Sequence, residues 1–254
     1  MKNNFKEIIR KLLMVVAIVT IIYSGYNLLN IKEEENLEKT VNKDIIEVIG
    51  DDESGEVKFL TKETFKKLEA INRDFVGYLY YPSLNINEQV VHGSDNEYYL
   101  NHSFNKEYLP YGTVFVDANQ QLFQQNTTLY GHWVSNSTLK FSNLHKLKDV
   151  NNYEANKTYY FASEDYIYEY EVAIVIYHHS VDDYDSIPYW HGNFSEIEFK
   201  NFINNAKSQQ FYDTGVEITS EDKILTLQTC ITADSEERLV VIGKLVNKIP
   251  LEDN

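Results

Sequence analysis

"KILTLQTCI", residues 223–231, is an apolar run that ends on Cys230, the only cysteine in a chain of 254 residues. Its β-branched and leucine-rich make-up between polar flanks reads as a strand. "RLVVIGKLV", residues 238–246, reads as a second strand. The short connection over 232–237 makes the two runs neighbours in a sheet, which brings Arg238 near the thiol. A lone cysteine cannot form an internal disulfide. It is an inert packing residue, a surface thiol or a nucleophile, and the rest of the chain must decide.

Upstream, six more runs have the same character: 75–82 (FVGYLYYP), 86–93 (INEQVVHG), 112–119 (GTVFVDAN), 126–133 (NTTLYGHW), 157–163 (KTYYFAS) and 166–179 (YIYEYEVAIVIYHH). Gly, Asn, Asp and Ser punctuate them. Eight short strands with few helices predict a mainly β fold, a closed barrel or a sandwich. The 20 tyrosines and 13 phenylalanines agree with that class. Two stretches have helical spacing. Residues 61–72 carry Phe65, Leu68 and Ile71 on one predicted face, with Thr61 at the start. Residues 193–210 carry Ile197, Phe199, Phe202, Ile203 and Ala206, with Ser195 as the predicted N-cap.

Charge is distributed unevenly. Residues 1–30 have a net charge of +3 and the remainder −19. So acidic a body repels phosphates and argues against a nucleic acid partner. Residues 12–29 form an uncharged run of 18 that, as a helix, spans roughly 27 Å, close to a hydrocarbon core of about 30 Å. Basic residues precede it and "KEEE" follows. The positive-inside rule then predicts residues 1–11 as a cytoplasmic tail, 12–29 as a single membrane anchor and the body outside. A cleaved signal peptide is the rival, but its apolar region is usually shorter, and Ser24-Gly25-Tyr26 is a poor cleavage site. Residues 30–60 are polar and acidic and read as a stalk with some helical character, which leaves 61–254 as the folded domain.

A nucleophilic thiol needs a proton acceptor and something to stabilise an oxyanion. Histidines occupy positions 92, 102, 132, 145, 178, 179 and 191. His132 ends a β-type run, beside Gly131. Of the three arginines, Arg10 flanks the apolar run and Arg73 ends a predicted helix, so Arg238 is the one that can serve the cysteine. No His, Cys or Asp grouping has the spacing of a zinc site, and neither a metal nor another cofactor is expected.

The order "LYGH", "TLQTC" and Arg238 resembles the signature of the sortases, cysteine transpeptidases of Gram-positive cell surfaces. "VVHGSDNEYYLNHSFN" (90–105), "VFVDAN" (114–119) and the helix-bearing stretch before "TLQTC" are similar to class B. The resemblance covers roughly residues 70–248. It implies a closed eight-stranded sortase-type β-barrel with an N-terminal helical extension and a helix inserted before the cysteine strand. It also implies Cys230 as nucleophile, His132 as general acid/base and Arg238 as the group that holds the substrate carbonyl or its oxyanion. Asn96, Leu100, Tyr130, Gln228 and Thr229 fall where a sorting-signal groove is expected. Gln228 departs from the more usual Ser. The implied partners are surface proteins bearing a sorting signal and an amine of a peptidoglycan precursor. Hydrolysis by the same fold, a pilin-polymerising relative, or a non-enzymatic adhesin with Cys230 as packing are the competing readings. A papain-like enzyme would place its cysteine before its histidine, the reverse of this order.

Overall fold

The computed structural model describes residues 2–49, 61–135, 137–179, 187–230 and 237–251. Residues 50–60 of the predicted stalk, Ile231 at the end of the predicted strand and residues 232–236 of the predicted connection lie outside these. The chain divides into two units, residues 1–43 and 44–254.

Helix α1 (Lys2–Ile49) is continuous over 48 residues. Within it, Ile9–Leu29 is long and apolar enough to cross a membrane, with a mean hydropathy of 2.1. The acidic segment after the apolar run carries the helix on to Ile49. Residues 31–49 contain neither Gly nor Pro and are rich in Glu, Lys and Ile, so nothing in them stops propagation.

Helix α2 (Lys62–Ile71) starts where the sequence places it: the Thr61 hydroxyl accepts from the Thr64 amide at 3.2 Å. Phe65 and Leu68 are buried, but Ile71 is 44% exposed. The helix ends there, and the next residue turns inward instead. The Asn72 amide donates to the Phe104 carbonyl at 2.9 Å and to the Tyr99 hydroxyl at 3.0 Å.

Strands β1 (Phe75–Tyr81), β2 (Ile86–Val91), β3 (Val114–Val116), β4 (Asn126–Tyr130), β5 (Thr158–Ala162), β6 (Tyr166–His179), β7 (Ile224–Cys230) and β8 (Glu237–Pro250) follow the predicted runs. They close a barrel in the order β1-β2-β3-β4-β7-β8-β6-β5. The β2–β3 and β4–β7 contacts are parallel and the rest antiparallel, so the barrel is mixed. Closure leaves no free sheet edge among the described strands.

Alternation along the strands sorts side chains into an interior and an outer face. Leu79, Val90, Val114, Val116, Leu129, Leu225, Leu227, Leu239 and Val241 fill the interior. Tyr159 stacks between Tyr81 and Tyr170, at 5.2 and 5.4 Å between ring centroids. Its hydroxyl donates to the Leu225 carbonyl at 2.6 Å, so a buried polar atom is satisfied.

Two apolar layers cover the outside. One joins Phe65 and Leu68 of α2 to Phe75, Tyr78, Val91 and Phe115. The other packs α3 (Glu196–Gln209) on Ile174, Ile176, Val240 and Ile242. Helix α3 lies in the chain between β6 and β7, as expected, and opens with a reciprocal cap. The Ser195 hydroxyl accepts from the Glu198 amide, and the Glu198 carboxylate accepts from the Ser195 amide at 2.8 Å. Phe199, Phe202, Ile203 and Ala206 are buried, whereas Ile197 is 73% exposed. Two residues are about 200° of helix, which sets Ile197 opposite Phe199.

Candidate active site

Strand β7 is central to the site because it is flanked on both sides. On one side it pairs with β8 from Ile224↔Lys244 through to Cys230↔Arg238. On the other it runs parallel to β4, with Tyr130 beside Gln228. The ends of β4 and β7 and the start of β8 therefore lie together. His132 follows β4 by two residues, so Cys230, His132 and Arg238 come from three adjacent strands at one end of the barrel.

Face follows from register. Leu225, Leu227 and Leu239 point inward. Cys230, Gln228 and Arg238 alternate with them and therefore belong to the outer face, where Ile224, Val240 and Ile242 pack against α3. Thr229 is paired with Leu239 and almost fully buried. It faces the interior, so the groove reading of Thr229 loses its geometric support: the residue stands back-to-back with the cysteine. The Cys230 thiol is free and half-buried.

The His132 turn is held by packing and by backbone bonds. The Gly131 amide donates to the Gln228 carbonyl at 3.1 Å, which extends the β4–β7 ladder by one bond. A Cβ at Gly131 would stand 2.8 Å from the buried Phe141 ring, so only glycine allows this approach. The chain then loops out and returns, and the Phe141 amide donates to the His132 carbonyl at 3.0 Å. The Ser142 hydroxyl accepts from the Val134 amide at 2.8 Å.

His132 Nε2 lies 2.8 Å from the Leu100 carbonyl oxygen. A carbonyl only accepts, so Nε2 carries the hydrogen and Nδ1 is the basic atom of the neutral ring. Burial holds His132 below the ordinary histidine value; the Leu100 bond opposes this, and the nearby Lys140 ammonium adds to it. Lys140 is itself buried, 2.9 Å from the Glu88 carboxylate of β2. A fixed cation thus sits close enough to disfavour the imidazolium.

Of the groove candidates, Leu100 is exposed and Asn96 half-buried. Asn96 is spent on structure: its amide donates to Asp117 at 3.2 Å and accepts from the Ala118 amide at 2.8 Å. The Tyr130 hydroxyl donates to the same Asp117 carboxylate at 2.7 Å, and burial pushes that hydroxyl far above its usual titration range. Asp117 is therefore a hub that sequence reasoning passed over, although it stands within the quoted run "VFVDAN".

Tyr189 was also missed. Its hydroxyl is pushed up to about 12 by burial; the Arg238 charge pulls it down and the Cys230 charge pushes it up, which puts the ring within electrostatic reach of both. Its backbone carbonyl accepts from Asn126 and Thr128 of β4. The His178 ring meets it edge-on at 5.3 Å, and His178 pairs with Arg238 across β6 and β8. No local pattern announces Tyr189, because its partners come from distant strands. A third omission is His145, whose Nε2 lies 3.0 Å from the Cys230 carbonyl. Burial lowers the pKa of His145 as well.

Two histidines held neutral by burial carry a stability signature. The unfolded chain restores each to about 6.5, so it binds more protons as pH falls through that value. The stability conferred is full above about pH 6.5 and is lost as pH falls from there toward the depressed folded values. Between pH 7.5 and 5.5, the double variant H132N/H145N should lose less in Tm than the wild type; an equal or larger loss contradicts the assignment.

Similarity to known proteins agrees with this geometry. The sortase domain profile matches residues 79–246. Sortase B of Listeria monocytogenes is 29% identical over 256 residues, covering 96% of this chain and 100% of that protein. Sortase B of Staphylococcus aureus is 30% identical over 186 residues, covering 72% of this chain and 74% of that protein. The crystal structure of Bacillus anthracis sortase B in complex with AAEK1 superposes with a TM-score of 0.72 at 26% identity, covering 85% of this chain and 99% of that one. The domain profile, the two curated relatives and the shared barrel place this chain in the sortase family, class B.

Proposed function

We propose that this protein is a membrane-anchored cysteine transpeptidase that cleaves a C-terminal sorting signal on surface proteins and transfers the acyl part to a peptidoglycan amine. The observation that carries the reading is the opposition of Cys230 and Arg238 on paired strands, with His132 at the end of the strand on the other side of β7.

In the first half-reaction the Cys230 thiol gives its proton to Nδ1 of His132, and the thiolate so formed attacks the scissile carbonyl carbon. A C–S bond forms and the carbonyl π pair moves to oxygen, where Arg238 offsets the charge. Collapse of this intermediate breaks the C–N bond, and the leaving amine takes a proton from His132. A thioester on Cys230 remains. In the second half-reaction the acceptor amine gives its proton to His132 and attacks the thioester, and sulfur leaves as the thiolate. Nδ1 of His132 is the atom assigned to each of these proton transfers, since Nε2 is committed to Leu100. Leu100, Tyr130, Gln228 and Asn96 line the sorting-signal groove: Leu100 by exposed apolar surface, Tyr130 and Asn96 through the Asp117 hub, Gln228 beside the nucleophile.

The basic flank of the apolar stretch supports a cytoplasmic N-terminus with the barrel outside. On intact protoplasts of a Gram-positive host, added protease should digest the barrel domain. A protected barrel, or a mature chain cut near residue 25, would refute this topology.

Incubation with a sorting peptide and no amine should add the mass of the acyl fragment to Cys230, and an added amine should discharge it. Cys230→Ala should form no adduct and turn over no peptide while unfolding at an unchanged temperature. Peptide turnover by Cys230→Ala would sink the assignment, whereas an effect confined to stability would support the adhesin reading.

Arg238→Lys keeps the charge and loses the planar fork. The expected loss in kcat/KM is on the order of 10²–10³, the range for removal of an oxyanion donor. Wild-type turnover in that variant would show that the fork has no role.

A further inference from the structure

β7 ends on the nucleophile, and its last carbonyl meets an imidazole where a strand would be expected. Donors from β4 approach β7 at every second residue, as parallel ladders require. The Gly131 amide takes the Gln228 carbonyl at 3.1 Å. In that register the Cys230 carbonyl awaits the amide of Trp133. But β4 stops at Tyr130 and the chain turns away to carry His132. His145 Nε2 stands in the vacated place, 3.0 Å from the Cys230 oxygen. Since a carbonyl only accepts, the hydrogen must be on Nε2.

The imidazole is delivered by a rigid platform. His145 lies on the 3-10 helix Ser142–Lys148. Leu144 and Leu147 of that turn are buried in the barrel interior with Phe141 just before it. The Asn143 side chain donates to the Leu84 carbonyl at 2.7 Å, and the Tyr212 hydroxyl donates to the Leu147 carbonyl at 2.6 Å. The His145 ring also leans on Trp133, the residue after His132, at 5.9 Å between centroids. One side chain thus touches the nucleophile's backbone and the turn that carries His132.

We propose that His145 is a positioning residue for the nucleophile: its Nε2–H clamps the carbonyl of Cys230, fixes the end of β7, and so aims the thiol between His132 and Arg238. The proposal rests on the reading of Cys230 as the acylated residue. Without the clamp, β4 supplies no amide in its place at the Cys230 carbonyl, and the end of β7 is freer to pivot. Displacement of a reacting group by about 1 Å can cost on the order of 100-fold in rate.

The test uses the full chain in detergent micelles. His145→Phe keeps a flat ring against Trp133 and removes the donor. Its kcat for acylation by a sorting peptide should fall by about 10- to 100-fold, with KM within about twofold of wild type. His145→Gln offers an amide Nε2 that reaches the same carbonyl, and should recover kcat to within about threefold of wild type. Wild-type kcat in His145→Phe overturns the proposal, and so does a His145→Gln variant as slow as His145→Phe. Ring 15N chemical shifts of His145 in the wild type supply a measurement that needs no variant to fold. A hydrogen on Nε2 supports the clamp, and a hydrogen on Nδ1 alone overturns it. If the wild type forms no acyl adduct with any sorting peptide, the transpeptidase reading falls, while the 15N result still decides whether the imidazole holds the strand end.

Discussion

The register of β7 against β8 is the constraint on which the rest of the structure depends. From Ile224 to Cys230 each residue has a fixed partner, and the last pair sets the thiol opposite the guanidinium. A slip by one residue would exchange the two faces. Leu225 and Leu227 would leave the barrel interior, and Cys230 would enter it. The apolar pattern of "ILTLQTC" is thus a lock on chemistry as well as on packing, because burial of alternate leucines dictates the side on which the cysteine emerges. Parallel pairing with β4 adds the third partner, and Gly131 lets the ladder run one bond further before the chain departs over Phe141.

Much of this was legible in the sequence, and the omissions share a cause. All eight strands, both helix caps and the neighbour relation of Cys230 and Arg238 follow from local pattern, because alternation and capping are encoded within a few residues. Where the reading went astray, geometry over a slightly longer span decided. Ile71 ends its helix and yields its inward place to Asn72, and Ile197 lies half a turn away from the buried face of α3. Thr229 was taken with the cysteine beside it, although adjacent strand residues face opposite ways. The extent of α1 followed from the absence of a stop signal, and the helical character read into the stalk carries the helix on to Ile49. Asp117, His145 and Tyr189 were invisible for another reason. Their roles arise from partners such as Asn96, Tyr130, Cys230 and Arg238, which come from separate strands and loops.

The abundant tyrosines are distributed between two tasks. Tyr81, Tyr159 and Tyr170 stack inside the barrel and use their hydroxyls to bind backbone carbonyls or remain in an apolar setting that keeps them protonated. On the outer face Tyr130 packs against both the α2 and the α3 layers, and Tyr189 belongs to the α3 layer within electrostatic reach of Cys230. The interior therefore carries the stability of the fold, and the outer wall carries its chemistry.

The strand order has a consequence for how such an enzyme comes into being. Removing β7 and β8 from the ring leaves β4-β3-β2-β1-β5-β6, an open sheet with bare margins at β4 and β6. The hairpin-like pair contributed by the last part of the chain fills that gap, and it brings Cys230 and Arg238 with it. The contacts involved span roughly a hundred residues of sequence, so the entropy of closing that long loop must be overcome before the sheet can seal. A partly emerged chain has His132 but neither Cys230 nor Arg238. Sealing the barrel and bringing Cys230 and Arg238 beside the His132 turn are one event, fixed by topology alone.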